Sequence, residues 1–100
     1  MKNTYQELEL TNGEVVKLTL NFAKLLSIKN NREDLYTRFM TILNGKDVDI
    51  IIDSLTVLYV GYLCANSGQV LSEEEFMGLV PFDLELINVM AGNLIMSKKK

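Results

Sequence analysis

The sequence predicts an α+β domain, mostly α: an N-terminal β-hairpin followed by about five helices packed around a central apolar helix. Three observations predict it. Apolar and polar residues alternate with a period of two as far as Leu20. The period then lengthens to about three and a half. One long segment, residues 48–65, is apolar on nearly every side.

In the hairpin, Leu8 and Leu10 alternate with Glu7 and Glu9, and Val16, Leu18 and Leu20 with Lys17 and Thr19. Asn12-Gly13 lies between the two runs. A two-residue Asn-Gly turn would set Leu8 opposite Lys17 and mix apolar and charged side chains on one face. A three-residue loop, Thr11-Asn12-Gly13, sets Leu8 opposite Val16 and aligns both apolar faces. Gly13 then takes the left-handed conformation that makes a bulge. The bulged hairpin is the expected form.

Asn21 is placed to cap a short helix carrying Phe22, Leu25 and Leu26. Asn30 and Asn31 are expected to break the chain, with a second helix over residues 32–43. Its first turn holds Glu33 and Asp34, favourable at the positive end of the dipole. Leu35, Phe39, Ile42 and Leu43 form its stripe, and Asn44-Gly45 ends it. The third segment runs through Ile50, Ile51, Ile52 and Leu55, then Val57, Leu58, Tyr59 and Val60, then Tyr62 and Leu63. Its β-branched residues would also suit a strand. About 18 residues without a turn signal is too long for one, so it reads as the central helix, closed by Asn66-Ser67-Gly68. Ser72-Glu73-Glu74-Glu75 is a capping box that opens a fourth helix carrying Phe76, Leu79 and Val80, stopped by Pro81. Asp83 caps a fifth, with Leu84, Ile87, Met90, Ala91, Leu94 and Ile95 inward.

The 100 residues, 48% apolar and 23% charged, make one globular domain over residues 1–97 with a basic tail at 98–100. The net charge is −3, but Lys98, Lys99 and Lys100 hide the balance of the body, where 7 cations face 13 acids. Such a body repels phosphate backbones, so nucleic acid is not an expected partner. The single cysteine, Cys64, fits a reducing cytosol. No apolar run reaches the ~20 residues a membrane span needs, and no signal-peptide pattern opens the chain.

Chemistry is poorly served. Histidine is absent, which removes the commonest general base and metal ligand. The six glycines fall singly, so no phosphate loop is present. Asp47, Asp49 and Asp53 lack the further oxygen ligands and the glycine of a calcium loop, because Ile50, Ile51 and Ile52 stand there. Asp47 or Asp49 is better read as the start of the central helix. Glu73, Glu74 and Glu75 are a charged first turn, and Cys64 has no cation within a helical turn to activate it. No catalytic residue, metal or cofactor is expected. Met40, Met77, Met90 and Met96 lie on or near amphipathic faces. With the central helix they amount to more apolar surface than a chain this short hides alone, which a homo-oligomer or an obligate partner would cover.

The order of features resembles a known family. A hairpin with a Thr-Asn-Gly turn over residues 8–20 leads to Phe22-Ala23-Lys24-Leu25-Leu26, then to Asp34-Leu35-Tyr36 with Phe39. Leu58-Tyr59-Val60-Gly61-Tyr62-Leu63 follows, then Leu71-Ser72-Glu73-Glu74-Glu75-Phe76 and Pro81-Phe82-Asp83. Over about residues 5–95 this is similar to the tail assembly chaperones of long-tailed bacteriophages and prophages. The resemblance implies a non-enzymatic protein of the bacterial host cytoplasm. It would coat the long helical tape measure protein, help recruit tail tube subunits, and be absent from the mature virion. Many members of that family also exist in a longer form made by a programmed frameshift. Lys98-Lys99-Lys100 must be written by an adenine-rich run of codons where slippage could occur, and a solubilising basic tail is the other reading. Client stripes are expected in apolar grooves near the Pro81 break, on Phe76, Leu79, Val80 and Phe82, unless those residues are core. A virion component such as a head–tail connector, or a small regulatory module such as an antitoxin, are the alternative functions.

Overall fold

In the computed structural model, which describes residues 6–44, 50–66 and 70–96, the chain is α+β and mostly α. Two strands, β1 (Gln6–Glu9) and β2 (Val15–Leu18), precede five helices: α1 (Phe22–Asn31), α2 (Glu33–Leu43), α3 (Ile50–Ala65), α4 (Glu73–Leu79) and α5 (Leu84–Met96). The expected roles of Gly45, Asp47, Val48, Asp49, Ser67, Gly68 and Lys98, Lys99 and Lys100 lie outside the described residues. Among the described residues no helix is long and apolar enough to cross a membrane.

The hairpin takes the bulged form. β1 and β2 pair antiparallel with Leu8 opposite Val16. The Leu10 amide donates to the Glu14 carbonyl at 2.7 Å and the Gly13 amide to the Leu10 carbonyl at 2.9 Å, closing a three-residue loop. Gly13 sits at φ +93°, where a Cβ would be strained. Leu8, Leu10, Leu18 and Leu20 are all buried, as the alternation requires.

The hairpin lies on α3, and Gly61 shows how closely. The Thr19 amide donates to the Gly61 carbonyl at 3.1 Å. A Cβ on Gly61 would come within 2.9 Å of Leu94 Cδ1 and 3.4 Å of the Thr19 carbonyl. Glycine inside a helix costs about 1 kcal/mol against alanine, and here it lets a strand and α5 both approach one turn. α5 runs in roughly the same direction as α3, since Ser54 Oγ meets Asn88 Oδ1 at 2.8 Å and Gly61 meets Leu94 further along. Covered by β2, α2 and α5, residues 56–62 of α3 are buried without a break. The expectation of a covered central helix holds there. Ile52, one turn before, is half-exposed.

Three helices depart from expectation in part. α1 continues through Asn30 and Asn31, and the break is the single residue Arg32 at φ −139° and ψ 66°. Its last turn is held by the Asn31 side-chain amide, which donates to the Ser27 carbonyl at 2.9 Å, and by the Arg32 amide on the Ile28 carbonyl at 2.6 Å. Asn21 caps the start, its Oδ1 accepting from the Lys24 amide at 3.1 Å. Because Leu25 and Ile28 set the inward direction, Phe22 and Leu26 point away from the core. On α5, Ile87, Met90, Ala91 and Leu94 are buried, while Leu84, at the edge of that stripe, is exposed, and so is Leu43 at the end of α2.

Candidate protein-interaction surface

The four residues expected near the Pro81 break divide. α4 starts at the capping box: Ser72 Oγ accepts from the Glu75 amide at 3.1 Å and Glu75 Oε1 from the Ser72 amide at 3.0 Å. That start aims Phe76 at α3, where its ring packs against Tyr62 at 4.9 Å and Tyr59 at 5.4 Å between centroids. Phe76 and Val80, one turn apart on one face, are buried, so neither is accessible to a client. Leu79 is half-buried, and its carbonyl accepts the Thr11 amide of the hairpin loop at 2.8 Å. Phe82 alone is on the surface, at 91% exposure. The chain turns outward there because the Asp83 amide donates to the Pro81 carbonyl at 2.8 Å and Asp83 Oδ1 accepts the Leu86 amide at 3.1 Å.

The accessible apolar side chains lie mainly elsewhere. Phe22 is 89% exposed and Leu26 58%, one turn apart on α1. Phe82 is followed on α5 by Leu86 at 37% and Val89 at 52%. Beside Phe22 is an open hollow of about 230 Å³ lined by Leu20, Asn21, Phe22 and Leu25. A larger and more polar one, about 640 Å³, lies between Val15 and Val16 of β2, Tyr62 and Asn66 of α3, and Leu71 and Glu75.

The polar groups are committed to structure. The Tyr59 hydroxyl donates to the Leu71 carbonyl at 2.8 Å, and the Tyr62 hydroxyl accepts from the Leu71 amide at 2.9 Å. Arg38 Nη2 donates to Glu73 Oε1 at 2.9 Å, joining α2 to α4. That hydrogen bond holds the Arg38 guanidinium above its ordinary pKa, against the opposing effect of partial burial. Cys64 is buried in the core. Met90 is buried, and Met40 and Met77 are half-buried against the core. Among the described residues no buried side-chain nitrogen or oxygen lacks a hydrogen-bond partner, and no group of three or more acids or thiols is placed to hold a metal ion.

Sequence reasoning placed Phe22 and Leu26 on the stripe of α1, and it left Leu86 and Val89 off the inward face of α5 without naming them as interaction residues. A signal existed for α1: Leu25 and Ile28 define a stripe that excludes Phe22 and Leu26 from its centre. On α5 the inward residues Ile87, Met90, Ala91 and Leu94 follow the expected stripe, and Leu86 and Val89 lie outside it. Comparison with known protein families, with curated proteins and with solved structures finds no match to this chain.

Proposed function

We propose that the chain is a non-enzymatic tail assembly chaperone of a long-tailed phage or prophage, made to bind other proteins in the host cytoplasm. Its client is the tape measure protein, and it helps bring tail tube subunits to that client. The observation that carries this reading is the exposure of large apolar side chains at two separate places, Phe22 and Leu26 on α1, and Phe82 just before α5 with Leu86 and Val89 on it. Such side chains gain about 25 cal/mol for each Å² of apolar area removed from water, which a client's apolar stripe would supply. A long helical protein waiting for its tube exposes such stripes along its length. The acidic balance of residues 1–97 keeps a coated client soluble. The order and spacing of hairpin, helices and capping box support the same reading.

The test is to express the tagged chain during phage growth, identify what co-purifies, and analyse finished particles by mass spectrometry. The tape measure protein should be recovered with the chain, and the chain should be missing from particles. Recovery without the tape measure protein refutes the reading, and a stoichiometric presence in particles assigns the chain to the virion structure instead.

A further inference from the structure

We infer that the outer face of α5 is a docking seam for an amphipathic helix flanked by basic residues, an assignment that deepens the chaperone reading and rests on it. α5 carries two faces. Ile87, Met90, Ala91 and Leu94 are buried against the rest of the fold. Leu86, Val89 and Asn93 are exposed, and at 100° per residue Val89 and Asn93 fall within about 60° and 20° of Leu86. Phe82, fully outside the core, lies two residues before α5 begins. Within α5 the exposed positions 86, 89 and 93 therefore step by three and four residues. That is the spacing by which one helix lays a seam along another, knobs into holes. The seam is apolar at Leu86 and Val89, with Phe82 before them, and ends on an amide at Asn93. A polar group at such a position favours a partner with a polar group opposite and so fixes register.

Charge selects the occupant. Between Pro81 and Met96 the charged residues are Asp83 and Glu85, which are acidic and exposed and border the seam on either side of Leu84. The described cations, Lys17, Lys24, Lys29, Arg32 and Arg38, belong to β2, α1, α2 and the residue between those helices. A second copy docking by the same face brings the same acids and an acidic body with it. A helix with lysine or arginine beside its apolar seam brings the complement, and charges at these flanking positions set partner choice.

The test uses the whole chain and a fluorescent three-heptad peptide with leucine at the seam positions and lysine beside them, against its glutamate-flanked counterpart. The lysine peptide should bind at least about tenfold more tightly by anisotropy, and more weakly as salt rises. The double variant Phe82→Ser, Val89→Ser, changing two exposed side chains, should lose about tenfold in affinity while its melting temperature moves by less than about 2 °C. Val15→Thr, on the outer face of β2, should bind as the parent does. Equal affinity for both peptides, or unchanged binding by the double variant, overturns the seam. So does a dimer, measured by light scattering, that the double variant converts to a monomer, since the occupant is then a second copy. If the peptide results hold and no tape measure protein co-purifies, the seam stands and the client's identity falls. If tape measure protein co-purifies equally with the double variant, the chaperone reading stands and the seam falls.

Discussion

Two tyrosine hydroxyls on α3 hold the Leu71 peptide from both sides, one accepting its amide and one donating to its carbonyl. Tyr59→Phe strands the carbonyl and Tyr62→Phe the amide, and each should cost about 1–3 kcal/mol in urea denaturation. An unchanged midpoint in both would mean that water replaces the hydroxyls freely. Gly61 is the second sensitive position, because β2 and Leu94 meet there. Gly61→Leu should destabilise by about 1–3 kcal/mol through overpacking, despite leucine's better helix propensity. Cys64 was legible from its neighbours alone: set among Tyr62, Leu63 and Ala65, it is buried in the structure as a small apolar residue is. It should resist iodoacetamide until denaturant is added. The tyrosine clamp was not legible, since neither hydroxyl's partner lies within the same helix.

At the scale of elements, strength of local signal decides what could be read. The hairpin register follows from alternation, because a slip by one residue would turn Leu8 and Leu18 to solvent. The capping box at Ser72 is a local signal and forms as read. Ser72→Ala should therefore cost about 1 kcal/mol. The end of α1 was misread for a physical reason. Asn30 and Asn31 favour turns in isolation, but the Asn31 side chain bonds back to Ser27 and keeps the helix closed for another turn. α4 and the segment after it give the clearest contrast between core and surface. Phe76→Ala should cost about 3–5 kcal/mol, whereas Phe82→Ser should change stability by less than about 0.5 kcal/mol. Comparable losses from both would contradict the division of these two phenylalanines.

For the whole molecule, the chain has no histidine to titrate near neutrality. Among the described residues the resolved shift is on Arg38, and it is upward. A raised arginine pKa contributes stability that is fully present below its ordinary, strongly basic value and lost only as pH rises above it. Stability should thus stay flat between about pH 6 and pH 8, and a steep change there would reveal a titrating group the fold does not account for. The candidate surface was only partly legible. Phe82 was named from the Pro81 break, but Phe76 and Val80 went to the core. Phe22 and Leu26 emerged only when packing had chosen between two apolar sides of α1, whereas Leu86 and Val89 already lay off the inward face read for α5. The central claim is that these leftover apolar side chains serve a helical client. Its most direct test is the soluble fraction of the tape measure protein expressed alone, with this chain, and with the chain carrying Phe82→Ser and Val89→Ser. The account predicts a large rise with the chain and little with the variant; a tape measure protein equally insoluble in all three would contradict it.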